Sequence, residues 1–338
     1  MAVISHNNVD LPVEETNAEL SELLSACGIF ELSDRAKLSL TGGDRVRWLN
    51  GMITNNVRDL AVGRGVYSFL LNPQGHILGD LYAYNREEAI MIDTEPAQVE
   101  KLLSTFDHYI IMDDVEVADV SGKIAAIGIA GPKAREVLHS VGIEASSMEP
   151  LQFVDLKFGD GLVTLARGDM PGIEWYEIWT AADDREQAWN QLMKSGGHPV
   201  SLTALELLRI AAGVPRYGQD IRERDLPQES EQTRALNFNK GCYIGQEIVE
   251  RIRSRGAVHR KFTGFEVEGP LPAIGAKIQA DGRDIGEITS AATLPLPTGA
   301  RNVALGYIRR EVAPGRKFQI GNTTLTVANV PFAGVFRA

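Results

Sequence analysis

Residues 240–247 read Lys240-Gly241-Cys242-Tyr243-Ile244-Gly245-Gln246-Glu247. They place one thiol between two glycines, at what the pattern Ile244 to Val249 predicts to be the start of a helix. A thiol acts chemically when its thiolate is accessible and stabilised. Gly241 and Gly245 permit a sharp backbone path and the close approach of a partner. Helix-entry amides aimed at the sulfur, together with the Lys240 charge, would lower the thiol pKa and would also suit an anionic ligand. The competing interpretation is a buried structural cysteine in a glycine-bounded loop, because free cysteines are commonly buried. One thiol does not hold an iron–sulfur cluster alone, since clusters take about four ligands.

The block is followed by Arg251, Arg253, Arg255, His259, Arg260 and Lys261. This run is either a solvated helix face leading into a linker or a local docking strip for carboxylates or phosphates, for which arginine is well suited. It stands out because the chain of 338 residues carries 34 basic and 45 acidic side chains, a net charge of −11. That acidity argues against a general nucleic-acid or membrane-surface binder, both of which need a dominant positive field. The only other cysteine, Cys27, falls at the predicted end of the first helix and reads as structural. A dithiol mechanism would require it to approach Cys242. There is no C-x-x-C, no Cys/His spacing suits a closed zinc site, and His76 and His108 each lack a second metal ligand nearby in sequence. No apolar run nears twenty residues and no secretory segment is visible, so a cytoplasmic location with reduced thiols is the expectation. Met1 to Pro12 read as a loose tail.

Outward from the block, the chain reads as α+β. Helices are predicted from Asn17 to Ala26, from Asp44 with its carboxylate as cap, near Pro96 to Phe106, from Pro132 to Val141 and from Asp184 to Met193. Thr203-Ala204-Leu205-Glu206 reads as a capping box opening a helix that Gly213 ends. Strands are predicted at Ile29–Ser33, Val66–Leu71, His76–Tyr84, Ala89–Asp93, Val115–Val120, Ile124–Ala130, Gly161–Ala166 and Trp175–Thr180. Asn72-Pro73-Gln74-Gly75 marks a tight turn between the second and third of these, and such hairpins imply antiparallel pairing. After about Arg260 short strands dominate, with Asp281-Gly282 as a hairpin signal, which predicts a small β-barrel or sandwich.

Residues 240–247 resemble the signature K-G-C, an aromatic or leucine, any residue, G-Q-E of the YgfZ family, a folate-binding offshoot of the glycine cleavage T-protein superfamily. Leu40–Asp44, Asn55-Asn56-Val57, Leu208–Gly213 with Tyr217–Ile221, and Leu226-Pro227-Gln228-Glu229 are similar to further motifs of that superfamily. The resemblance implies a folate-binding region over residues 1–258, built of largely antiparallel sheets with helices, and a C-terminal β-barrel over 259–338. It implies tetrahydrofolate or a derivative as cofactor, Glu177 as the pterin-binding carboxylate and Arg209 as a partner of the folate's glutamyl carboxylate or a brace of the cavity. The T-protein pattern G-G-x-x-D-D falls on Gly75-His76-Ile77-Leu78-Gly79-Asp80, so Asp80 keeps one catalytic acid and Gly79 replaces the other.

The function so implied is that of a folate-dependent accessory protein for assembling or repairing iron–sulfur clusters. Cys242 would be its reactive thiol, with transient cluster contact, and iron–sulfur assembly proteins or client enzymes its partners. No direct nucleic-acid or membrane partner and no bound metal are expected. Two alternatives stand beside it: a true aminomethyltransferase of glycine cleavage, and a non-catalytic folate-binding scaffold that docks other proteins through its barrel and the Arg251, Arg253, Arg255 strip.

Overall fold

The computed structural model describes residues 13–336 apart from Asp160 and Ala257; the predicted tail, Met1 to Pro12, lies outside them. Helices α1 (Val13–Ser25), α2 (Arg45–Met52), α3 (Val99–Tyr109), α4 (Ala134–Ser140), α5 (Arg185–Lys194), α6 (Leu202–Ala212) and α7 (Gln246–Arg255) are interspersed with three sheets. The strands of the first two are β1 (Gly28–Glu31), β2 (Ala36–Thr41), β3 (Gly65–Leu71), β4 (Ile77–Asn85), β5 (Ile90–Thr94), β6 (Glu116–Asp119), β7 (Ile124–Ala130), β8 (Phe153–Phe158), β9 (Gly161–Arg167), β10 (Trp175–Ala181) and β11 (His198–Pro199). The third sheet comprises β12 (Arg260–Glu268), β13 (Lys277–Ala280), β14 (Arg283–Leu296), β15 (Gly299–Arg309), β16 (Lys317–Ile320) and β17 (Thr323–Ala328).

The spatial orders are β11-β1-β7-β10-β9-β8, β3-β4-β5-β2-β6 and β13-β14-β15-β12-β17-β16. Every pairing except β1 with β11 is antiparallel. Edges β13 and β16 approach each other, so the third sheet is a nearly closed barrel. The fold is α+β, as the hairpin signals predict. Gly75, at φ 78°, turns β3 into β4, while Asp281 and Gly282, at φ 50° and 70°, supply the two positive φ values of a tight twisted hairpin.

Three strands have no counterpart in the sequence reading: β2, β8 and the two-residue β11. β2 carries Lys37 as its second residue, fully buried and 3.2 Å from Asp93 Oδ1, so a charge interrupts the apolar run. β8 is an edge strand whose exposed positions include Asp155 and Lys157. Two caps also differ from expectation. Asp44 makes no capping bond and instead accepts the Asp114 N–H at 3.0 Å. Helix α6 starts earlier than the Thr203 box, with Ser201 Oγ accepting from the Ala204 amide at 3.3 Å; Gly213 ends it at φ 69°, as predicted.

One face of the first sheet packs under α4 and α5 through residues such as Ile129, Leu138, Ile178 and Leu192. One face of the second packs under α2 and α3 through Leu40, Leu49, Leu81 and Phe106. The remaining faces meet each other, with Tyr84, Ala126, Phe153, Ala166 and Trp179 between them. The barrel is held to this body by buried ion pairs. Asp220 accepts from Thr289 Oγ1 at 2.5 Å, Ser290 Oγ at 2.7 Å and Arg209 Nη1 at 2.7 Å. Arg260, at the start of the barrel, donates to Asp225 at 2.6 Å and Glu229 at 2.9 Å while lying over Tyr307. It is thus an interdomain clamp and no part of an exposed basic strip.

Glu287 on β14 makes a further interdomain tie, through Arg222 at 2.8 Å, and pairs with Lys277 within the barrel. Burial acts to raise its pKa, but hydrogen bonds from Lys277 and Arg222 outweigh that and bring the carboxyl down from 4.5 to about 2. A lowered folded-state pKa gives stability that is complete above about pH 4.5 and is lost as pH falls toward 2. Solvent screening at the exposed Lys277 side reduces the full value of that shift. Glu287→Gln is therefore expected to lower stability at pH 7 by about 2 kcal/mol, measured by urea unfolding, with the difference from wild type closing between pH 5 and pH 2. A constant difference across that range would show that the ion pairs contribute nothing.

Candidate functional site between the two sheets

Period-two geometry puts Trp175, Glu177 and Trp179 of β10 on one face, turned toward the second sheet. Glu177 is only 9% exposed, yet its carboxylate is fully directed. Oε1 accepts the Trp175 indole N–H at 3.2 Å and Oε2 the Trp179 indole N–H at 2.8 Å. Its cross-strand neighbours are Gly128 and Ala166, both too small to cover it. A Cβ at 128 would lie 1.9 Å from the Phe30 ring, so the glycine is required where that ring crosses the sheet. Arg35 supplies nearby positive charge. Burial opposes that charge, but Asp93, Glu95 and Glu177 hold the guanidinium well above its ordinary pKa.

Across from this face, β4 presents Asp80, Tyr82 and Tyr84. Asp80 Oδ2 accepts from Tyr67 Oη at 2.7 Å, and Oδ1 accepts from Gln98 Nε2 at 2.7 Å. Gln98 Oε1 also accepts the Asp80 backbone N–H at 2.8 Å, closing a two-bond clamp. Burial, and after it the Asp80 charge, push the Tyr67 phenol well up, so it stays a donor. A side chain at Gly79 would bring its Cβ to 2.8 Å from Gln98 Oε1. Gln98 therefore fills the space beside Asp80 that a second acid would need. Tyr67 and Tyr82 are paired across the strands, with ring centroids 5.0 Å apart, and Arg234 lies 4.3 Å over the Tyr67 ring. Asp169 joins the group, accepting from Tyr82 Oη at 3.1 Å and pairing with Arg234.

The sequence reading misses Tyr67, Tyr82, Gln98, Asp169 and Arg234. Tyr82 had a signal, since it lies two residues from Asp80 on the same strand face. Asp169 and Arg234 sit in non-strand segments, where no period marks them.

The block 240–247 docks on the end of α2. Lys240 is 6% exposed and its Nζ donates to the carbonyls of Asn50, Ile53 and Asn55, each at 2.6 Å. The first two are carbonyls that the end of α2 leaves without partners, and the third belongs to the bend that follows. Burial, and secondly the Arg58 charge, push this ammonium down to about 7. The lysine thus faces inward and does not serve as the free positive charge beside the sulfur. Ile244 N–H reaches Gly51 O at 3.1 Å, and Tyr243 is buried in a cluster with Tyr67, Phe69 and Ile77. Gly245, at φ 80°, packs so closely on the β3–β4 turn that a Cβ would lie 2.6 Å from Asn72 O. The Gln246 N–H goes to Tyr243 O and the Gln246 side chain takes the Tyr243 N–H, while Glu247 faces solvent.

Between these anchors Gly241 and Cys242 are exposed. No hydrogen bond reaches Cys242 Sγ among the described residues, so the expected helix-entry amides do not hold it. Cys27 lies in the first sheet's core, where burial pushes its thiol up to about 12. The two thiols are not joined.

Arg209, expected as a partner of the folate's glutamyl carboxylate or as a brace of the cavity, is fully engaged within the protein. Its five N–H groups go to Glu206 twice, Val214 O, Asp220 and Ser290 Oγ, leaving no donor for an incoming carboxylate. Arg251, Arg253 and Arg255 are exposed on α7, and Arg253 pairs with Glu250 at 3.0 Å while lying over Phe238. His76 bonds to Arg224 O and His108 is exposed. Among the described residues no group of three or more acidic, histidine or cysteine side chains could hold a metal ion. No helix among them is long and apolar enough to cross a membrane.

The family profile described as GCVT N-terminal domain matches residues 10–240, and that of the glycine cleavage T-protein C-terminal barrel domain matches residues 260–332. The aminomethyltransferase of Staphylococcus saprophyticus is 30% identical over 304 residues, 88% of this chain and 82% of that one. The aminomethyltransferase of Rubrobacter xylanophilus is 27% identical over 95% of this chain and 87% of its own. Among solved structures, the glycine cleavage system aminomethyltransferase T of Bartonella henselae superposes with a TM-score of 0.85 over 95% of this chain and 90% of that one, at 22% identity. A face-to-face pair of antiparallel sheets followed by a nearly closed barrel is thus shared with that structure, and the chain belongs to the glycine cleavage T-protein family.

Proposed function

We propose that this protein binds tetrahydrofolate between its first two sheets and works through the Cys242 thiol in the assembly or repair of iron–sulfur proteins. The observation that carries the reading is the build of residues 240–247. Lys240, Tyr243 and Gly245 are fixed by burial and close packing, and between them Cys242 stays exposed beside Gly241. A structural cysteine would have been turned inward, as Cys27 is. In this reading residues 1–258 form the folate unit and 259–338 the barrel.

The cleft residues fit a flat, hydrogen-bonding ring. Glu177 offers carboxylate lone pairs to two ring N–H groups, its orientation set by two indoles. Trp175 and Tyr82, both partly exposed, provide flat surface near it, and the Phe30 ring lies over Gly128, the cross-strand neighbour of the carboxylate. Tetrahydrofolate, when bound, supplies one-carbon chemistry. Asp80, gripped by Tyr67 and Gln98, is positioned to hold a proton or a ring nitrogen.

A second reading, aminomethyl transfer to tetrahydrofolate, has the names of the relatives behind it and shares the Glu177 and Asp80 roles. Against it stands Gln98 in the place of a second acid beside Gly79. The two readings separate in one pair of assays on the purified chain. Calorimetric titration with tetrahydrofolate should show saturable one-site binding, and incubation with an aminomethylated lipoyl carrier protein should yield no methylenetetrahydrofolate. Product formation hands the function to the second reading; absence of binding removes both.

A further inference from the structure

One end of the barrel core is left uncovered. The barrel's side is packed against α1 and α6, mainly through β14 and β15. The other core cluster of the barrel, around Phe265, Ile278, Ile308 and Phe318, runs out to partly buried Ile285 and Val312. There a surface cavity of about 650 Å³ opens between the β13–β14 hairpin and the β15–β16 connection. Its apolar lining includes Ile285, Val312 and Phe318, and Arg283, Arg309 and Arg316 stand exposed around it.

These arginines come from two separate segments, the β13–β14 hairpin and the β15–β16 connection, of a chain whose net charge is −11, so their convergence runs against the average field of the molecule. Two carboxylates share the rim. Glu311 pairs with Arg309 at 3.7 Å, and Asp281 sits in the hairpin turn. Arg283 and Arg316 have no carboxylate within ion-pair distance among the described residues. An apolar hole rimmed by arginines matches the way protein interfaces concentrate their binding energy: one bulky side chain fills the hole and charges set the register. All three guanidiniums are solvated and the hole is open to the surface, which suits a partner's chain better than an enclosed metabolite.

We infer that this barrel end docks an acidic segment of a partner protein that carries a large apolar side chain flanked by carboxylates. The flanking acids pair with Arg283 and Arg316, and the apolar side chain covers Ile285, Val312 and Phe318. The site lies apart from the cleft and from Cys242 in sequence and in its supporting elements, so it stands whichever function the cleft performs.

The test is fluorescence anisotropy of the full chain with the fluorescein-labelled peptide Asp-Glu-Asp-Phe-Glu-Asp-Glu at low and physiological salt. Saturable binding is expected, weakened at least tenfold by Arg283→Glu with Arg316→Glu, and weakened similarly when the peptide phenylalanine is replaced by serine. The melting temperature of the double variant should stay at the wild-type value, since both side chains are exposed. Absence of saturable binding overturns the proposal, as does a double variant that binds equally well. Equal affinity for the serine peptide would reduce the interaction to unspecific charge attraction and overturn it too. Saturation of the cavity by decanoate, with no binding of the peptide, would assign it to small organic anions instead.

Discussion

Lys240→Met is expected to destabilise the protein by about 3–5 kcal/mol, because it leaves three buried carbonyls without a donor at about 1–3 kcal/mol each, partly offset by water. The carbonyls of Asn50, Ile53 and Asn55 converge on one ammonium, each at 2.6 Å. An ammonium has three donors in near-tetrahedral array, whereas a guanidinium is a flat fork. Lys240→Arg should therefore fail to restore stability. The loss should appear in urea unfolding at pH 7, and in a melting temperature lower by roughly 5–10 °C. Since the same bonds seat the loop on α2, proteolysis within residues 240–245 should also accelerate. A variant melting within about 1 °C of wild type would mean that water serves these carbonyls unaided.

The second large effect is on folate. Glu177→Gln removes one acceptor oxygen and the negative charge from a carboxylate already held by Trp175 and Trp179. A charge-assisted hydrogen bond in such a site is worth about 2 kcal/mol, so tetrahydrofolate affinity should fall roughly 30-fold. Arg209→Lys, by contrast, should affect stability more than affinity, because every Arg209 donor is spent on Glu206, Val214, Asp220 and Ser290. Calorimetric titration of both variants checks the pair. Affinity within twofold of wild type for Glu177→Gln would remove the carboxylate from the folate contacts.

Much of the architecture is legible in the sequence because turns carry their own chemistry. Asn72 to Gly75 and Asp281-Gly282 announce hairpins, and Gly213 announces a helix end at φ 69°. β2 stays hidden because Lys37 is buried against Asp93, a partner more than fifty positions away that no local pattern displays. The same reason explains the site. Cys242, Asp80 and Glu177 are visible as residue types in motifs, but their settings are not. Lys240 looks like a charge offered to the sulfur, and is instead spent on carbonyls some 185 to 190 positions away. Arg209 looks like an anion ligand, and its donors are consumed by the barrel and by its own helix. Gln98 has no motif at all, yet it grips Asp80 and fills the space beside Gly79. Local pattern reaches the elements; the use of each charge depends on which distant element it meets.

The central claim is that the exposed thiol of Cys242 is the working group of this molecule. It is tested most directly by measuring iron–sulfur enzyme activity in a strain that lacks the protein and carries either the wild-type chain or Cys242→Ala at matched abundance. Since Cys242 is exposed and makes no bond that the fold needs, the variant should accumulate and melt like wild type while failing to restore the enzyme activity. Full restoration by Cys242→Ala would contradict the account and leave the folate cleft to act without the thiol.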